Sequence, residues 1–144
     1  NKLVEPGGIT LNGTPIDLRK VDIPVYWLST REDHIAPWTA TYQGTQILGG
    51  DQKTFVLAGS GHIAGVVNPP SSGKYGFWTN DALPPTPEEF LEGAEHQPGS
   101  WWDHWSAWNA KFSEGEMVPA RKPGDGGLAV LEDGPGSYVK TKAA

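Results

Sequence analysis

The chain has 144 residues, enough for one domain of ordinary size, but only 37% of them are hydrophobic, below the share that usually builds a compact core. A formal charge of −6 without any lysine or arginine block offers no cationic surface to nucleic acid, and the absence of cysteine removes disulfides and thiolate metal sites. No apolar run approaches the roughly 20 residues that span a bilayer, and the opening Asn1-Lys2-Leu3-Val4-Glu5-Pro6 lacks the basic and apolar regions of a signal peptide.

The 19 glycines and 13 prolines, about a fifth of the chain, put many residues into turns and irregular connections. A start at Asn1 rather than Met, directly before a Gly/Pro turn, leads us to expect a piece of a longer polypeptide. From Val21 to Ser29 the residues are nearly all apolar after Pro24 and β-branched or aromatic in character, which predicts a buried strand. Pro37 can open a helix in which Trp38, Tyr42 and Leu48 share an inward side, with Gly49-Gly50 as the stop. Lys53 to Ala58 is a second short apolar run, placed as a parallel crossover requires, so the unit reads as βαβ.

The run Asn68-Pro69-Pro70-Ser71-Ser72-Gly73 cannot continue a helix or a central strand, and we place an organisational boundary there. Beyond it, Thr86-Pro87-Glu88-Glu89 carries an N-cap, a first-turn proline and a capping-box glutamate, predicting a helix to about Glu95. Ser100-Trp101-Trp102-Asp103 starts a further helix, on which Trp101, Trp105, Trp108 and Phe112 fall at helical spacing on one face. Regular spacing favours a face packed on a core over an exposed stacking platform. After Val118 an extended tail is expected, closing on Tyr138-Val139-Lys140, and no internal repeat is found.

Two loops carry the chemistry. Thr30 to Pro37, with Asp33, follows the first strand, and Gly59 to Gly65, with His62, follows the second. Neighbouring parallel strands deliver their following loops to one edge of a sheet, so Asp33 and His62 can meet despite their separation in sequence. An imidazole accepts a proton from a thiol or hydroxyl while a carboxylate fixes its tautomer and stabilises the imidazolium. Acid, then histidine, after successive last strands is the order of the α/β-hydrolases. Either residue alone would more simply be a turn aspartate or a solvated loop histidine; the pairing in order is what favours a site.

Gly59-Ser60-Gly61-His62-Ile63-Ala64 also matches a G-x-G-x-x-A dinucleotide fingerprint. That motif needs a helix of several turns and an acidic residue closing a second strand, but Asn68-Pro69-Pro70 stops any helix, and no strand is expected before Asp81. No G-x-S-x-G elbow and no H-E-x-x-H motif occurs, and His34, His62, His96 and His104 lack zinc-site spacing, so neither a resident serine nucleophile nor a metal is expected.

The stretches Ser29 to Trp38, Ser60 to Pro70 and Lys74 to Asp81, with Gly99-Ser100-Trp101-Trp102, Trp105, Trp108 and the closing Gly136 to Lys140, resemble the C-terminal part of the class I polyhydroxyalkanoate synthases. The resemblance covers nearly the whole chain. It implies an α/β fold in which residues 1–70 are the C-terminal part of an α/β-hydrolase catalytic core, with the last βαβ of its parallel sheet. Residues 71–144 would then be an irregular, partly helical, Trp-rich extension of the same domain. It further implies a cytoplasmic acyltransferase at the surface of polyester granules that moves (R)-3-hydroxyacyl groups from coenzyme A thioesters to a growing polyester, without another cofactor, in a homodimeric parent enzyme. Asp33 and His62 fall at the family's catalytic aspartate and histidine, and His34 is a candidate for substrate contact.

The family's nucleophile is a cysteine in a lipase-like elbow; this chain has none, so these residues alone are expected to be inactive, with the elbow upstream of Asn1. The resemblance leaves two roles for Asp33, orienting His62 or helping to activate the hydroxyl of the unit being extended. Two other readings are an esterase or polyester depolymerase, distinguished by a serine elbow, and a non-catalytic polymer- or carbohydrate-binding module built on the tryptophans.

Overall fold

The computed structural model describes residues 1–113 and 115–143. The chain divides into two compact units, Asn1–Phe112 and Ser113–Ala144. The first unit opens with a two-stranded antiparallel ribbon, β1 (Thr10–Leu11) and β2 (Thr14–Pro15). Asn12 and Gly13 join these strands with positive φ angles of 48° and 79°, the combination that a two-residue hairpin turn requires.

The main sheet begins with β3 (Val25–Thr30), followed by helices α1 (Trp38–Tyr42) and α2 (Gly44–Ile47) and then β4 (Lys53–Ala58). β3 and β4 pair in parallel from Val25↔Lys53 to Thr30↔Ala58, the βαβ unit that the apolar pattern predicts. The crossover differs from expectation in one respect: the helix is broken at Gln43. Gly44, a poor helix former, lies where an added Cβ would sit 3.1 Å from Trp27 Nε1, so close approach to β3 is what its lack of a side chain allows. Trp38 and Tyr42 reach the core as expected, but Leu48 lies past the helix end in extended backbone, and buried Thr45 takes the next inward position.

Two strands extend this sheet beyond the breaker run, β5 (Gly76–Thr79) and β6 (Glu95–Pro98), flanking α3 (Pro87–Glu92). Their pairing is antiparallel, in the order β3-β4-β5-β6, so the sheet is mixed rather than purely parallel. The expectation of no strand before Asp81 is therefore corrected, since β5 ends at Thr79. Because β5 runs antiparallel to β4 and only short turns, over residues 61–67 and at Pro70–Ser72, lie between them, the dinucleotide arrangement of parallel strands around a long helix is still not formed. α3 carries the expected capping box, with Thr86 Oγ1 accepting from Glu89 N–H and Glu89 Oε2 from Thr86 N–H. It stops at Glu92 because residues from Glu95 are drawn into β6.

β4 is buried on both faces, as its uninterrupted apolar run implies. Phe55 and Leu57 pack with Tyr42 of α1 and Phe90 of α3, all at most 1% exposed, with Tyr42, Phe55 and Phe90 ring centroids about 5 Å apart. Val56 and Ala58 face the other way with Phe77, against Tyr26, Leu28 and Trp101. Helix α4 (Trp102–Ala110) lies on this second face. Its inward residues are His104 and Trp108, together with Trp101 just before the helix. Trp105 and Phe112 are 44% and 43% exposed, so the expected four-residue stripe is only half packed. The reason is docking on Tyr26, whose ring meets Trp101, His104 and Trp108 and rotates Trp105 outward.

The second unit has no buried residue among those described. It is largely irregular, with short turns at residues 123–126 and 134–135, and closes on a 3-10 helix at Ser137–Lys140 over the expected Tyr138-Val139-Lys140, with the Ser137 hydroxyl donating to Glu132 Oε1 at 3.1 Å.

Candidate functional site

The parallel ladder does not stop where the strands do. Arg31 N–H donates to Ala58 O at 2.8 Å and Glu32 N–H to Ser60 O at 3.0 Å, so the two outgoing loops remain stitched together. Asp33 N–H then closes a turn on Thr30 O at 3.2 Å. On the other strand Ser60 adopts a left-handed φ of 70°, unusual for a residue with a Cβ, and turns the chain into one helical turn over residues 61–67 that carries His62. The two side chains meet across 29 residues of sequence, with His62 Nδ1 2.7 Å from Asp33 Oδ2.

Asp33 is held on both oxygens. Its Oδ1 accepts from Ile35 N–H at 2.8 Å and Ala36 N–H at 2.9 Å, while Oδ2 takes the histidine. The Ala36 N–H first, and then the His62 bond, hold this carboxyl at a pKa of about 2, so it is ionised at neutral pH and can only accept. Nδ1 of His62 is therefore the donor in this pair, which leaves the lone pair of a neutral ring on Nε2. The carboxylate side chain is 9% exposed and the imidazole 44%, so the acid is sheltered beneath a histidine that remains open to a reacting group.

Of the other histidines, His34 is exposed in the acid loop and does not join this bonded set. His96 stacks on Trp78 with centroids 4.6 Å apart, and Arg31 lies 4.9 Å over the same indole. His104 meets the Tyr26 hydroxyl at 3.0 Å through Nδ1; burial raises the tyrosine pKa and lowers that of the histidine. Among the described residues no cluster of three or more His, Asp or Glu could hold a metal ion, and no helix is long and apolar enough to cross a membrane.

The His62 turn is held by residues that the sequence pattern did not single out for it. Gly65 is buried where an added Cβ would lie 2.5 Å from both Gly59 O and Thr30 Cγ2. Trp101 Nε1–H donates to Gly65 O at 3.1 Å and Trp102 Nε1–H to Val66 O at 3.0 Å. Ser100 hydroxyl donates to Asn68 O. Ser100 was legible as a helix start, and its Oγ does accept from Trp102 N–H, but nothing in a linear pattern says which distant carbonyls an indole will reach.

No family model matches the chain. Individual relatives do. It is 46% identical over 143 residues to the poly(3-hydroxyalkanoate) polymerase subunit PhaC of Cupriavidus necator, covering 99% of this chain and 24% of that protein. It is 51% identical over 129 residues to the polymerase subunit PhaC of Rhizobium etli, 90% of this chain and 20% of that one. Against the poly(3-hydroxyalkanoate) polymerase of Methylorubrum extorquens the identity is 45% over 144 residues, 99% and 24%. The chain spans about a quarter of the length of these relatives or less. Over nearly its whole length it is a homologue of part of the poly(3-hydroxyalkanoate) polymerases.

Proposed function

We propose that this chain is the C-terminal, acid-and-histidine part of a class I poly(3-hydroxyalkanoate) polymerase with an α/β-hydrolase core, an acyltransferase that consumes (R)-3-hydroxyacyl-coenzyme A. The observation that carries the reading is the His62–Asp33 bond of 2.7 Å at the ends of adjacent parallel strands. It has the geometry of a base whose tautomer is set by a carboxylate. The polymerase names of the relatives supply the reaction.

The nucleophile is a cysteine on a G-x-C-x-G elbow contributed by the remainder of the polymerase, since this chain contains none. His62 Nε2 takes the thiol proton; the thiolate attacks the thioester carbonyl, and coenzyme A leaves as its thiolate and recovers that proton. The acyl-enzyme is then attacked by the hydroxyl of the next unit, which again gives its proton to His62 as the cysteine thiolate leaves. Asp33 holds the ring and stabilises the imidazolium in each step. His34, exposed beside the acid, is assigned to substrate contact at the mouth of the site. No cofactor beyond the thioester substrate is required. The enzyme works as a homodimer at the surface of cytoplasmic polyester granules.

The test uses the full-length polymerase carrying this segment, with coenzyme A release and polymer yield as readouts. His62→Ala is expected to lower turnover by about 10²-fold or more, the scale of a lost general base. Asp33→Asn is expected to impair acylation and elongation alike, whereas a loss confined to elongation would assign Asp33 instead to activating the attacking hydroxyl. Polymerisation retained in His62→Ala would reject the assignment, and a serine at the elbow with hydrolysis of polyester in place of thioester turnover would move the chain to a depolymerase or esterase.

A further inference from the structure

We infer that Trp101 and Trp102 are positioning residues for His62, acting through their indole N–H groups on the backbone of the turn that carries it. The inference rests on the reading of His62 as the catalytic base.

Residues 61–67 form a single helical turn, in which Gly65 N–H bonds to Gly61 O at 2.9 Å and Val67 N–H to Ile63 O at 2.8 Å. The last carbonyls of any such turn have no partner within it. Here two of them, and the Asn68 carbonyl just beyond the turn, are taken by three adjacent residues some 35 positions later. Trp101 Nε1–H holds Gly65 O, Trp102 Nε1–H holds Val66 O, and the Ser100 hydroxyl holds Asn68 O. Asn68 is itself 3% exposed and fixed through its side chain to Lys74 O and the Ser72 hydroxyl.

The other side of the turn is set by the close fit of Gly65 against Thr30 and Gly59. A turn this short has little stability of its own, and its histidine is 44% exposed on the side chain, without a packed surround to hold it. The ring position relative to Asp33 is thus set by the backbone, and the backbone is set at Gly65 and Val66 by two indoles. Trp101 is anchored in turn by Tyr26, at a centroid distance of 6.3 Å, and Trp102 by Trp101 at 6.3 Å. The sheet face carrying Tyr26 and the loop carrying His62 are therefore mechanically one body.

The experiment places Trp101→Phe and Trp102→Phe, singly and together, in the full-length polymerase. Phenylalanine keeps an aromatic ring and removes the N–H. The expected result for the double variant is a fall of about tenfold or more in kcat with KM unchanged, because a general base displaced by a fraction of an ångström loses rate rather than substrate affinity. Trp108→Phe, the same change on α4 but against Tyr26 and Phe112 rather than the His62 turn, should leave both constants as they are. In a His62→Ala background the double Phe change should cause no further loss, since a group acting through His62 has nothing left to position.

An unchanged kcat in the double variant would overturn the inference. So would an equal fall in Trp108→Phe, or a further loss in the His62→Ala background, either of which marks a general packing effect. Should the double variant unfold by circular dichroism, the single Trp102→Phe variant, at an indole that is 37% exposed, is read the same way with the same outcomes. Full activity of His62→Ala would instead remove the catalytic reading itself, a different failure from that of the tryptophans.

Discussion

The two units of the chain use similar residues to opposite ends. In Asn1–Phe112 the glycines that lie against the sheet are places of contact: at Gly65 an added Cβ would meet Thr30 and Gly59 at 2.5 Å, beneath the His62 turn. In Ser113–Ala144 a glycine such as Gly126 has nothing within 4 Å, and Leu131 and Met117 stand 93% and 96% exposed. The same contrast holds for apolar side chains, with Phe55, Leu57 and Phe90 at most 1% exposed in the first unit. A glycine therefore marks tight backbone approach where it lies against the sheet, as at Gly65, and an open turn where nothing packs on it, as at Gly126. The candidate site belongs wholly to the first kind of region.

The largest effect should come from the aromatic core. Phe90→Ala removes a ring that touches Tyr42 and Phe55 at 5.1 Å and should cost about 3–5 kcal/mol in denaturant unfolding. Leu131→Ala in the second unit should stay within about 0.5 kcal/mol. Comparable losses at both positions would break the contrast.

Next in size is glycine replacement. Gly65→Ala should destabilise by about 1–3 kcal/mol, the cost of overpacking, and lower turnover of the full-length enzyme by shifting the His62 turn. Gly126→Ala, in open space, should be neutral or raise stability by up to about 1 kcal/mol by restricting the unfolded chain. Thermal unfolding of the pair reads both signs, and a loss at Gly126 equal to that at Gly65 would sink the interpretation.

The smallest effect is electrostatic. Asp33 has a folded pKa of about 2, below the unfolded value of about 3.9. Its contribution is therefore fully present above about pH 4 and is lost as pH falls through about 2. A carboxyl-carbon NMR titration should place the Asp33 midpoint near 2, and Ile35→Pro, which removes one N–H donor to Oδ1, should raise it. A midpoint near 4 in the unsubstituted protein would mean that the turn and His62 do not hold the carboxylate.

The parts legible in sequence share one property: their signal is local. The run Lys53 to Ala58 reads as a doubly buried strand because both of its faces are apolar, and it is one. Thr86 and Glu89 read as a capping box because they are three residues apart and bond each other. The order of Asp33 and His62 after two strands was enough to expect that they meet, because parallel pairing leaves few other places for those loops.

What stayed hidden depends on distant partners. β5 and β6 are four residues each, with Gly76 and Pro98 at their paired ends, too short and too broken for a pattern. Only pairing of β5 with the edge of β4, and of β6 with β5, makes them strands. The tryptophans of α4 have helical spacing, but which of them faces inward was decided by the ring of Tyr26.

By itself the sequence determined the residue types of the pair, their order and the strands that deliver them, because hydrophobic periodicity and loop chemistry act within a few residues. Only the tertiary structure decided that Asp33 Oδ2 lies 2.7 Å from His62 Nδ1, and that Ser100, Trp101 and Trp102 close the carbonyls behind it. Those bonds join groups about 30 to 36 residues apart. No local preference encodes such contacts; they form only once the sheet has brought its loops and its last helix to one edge.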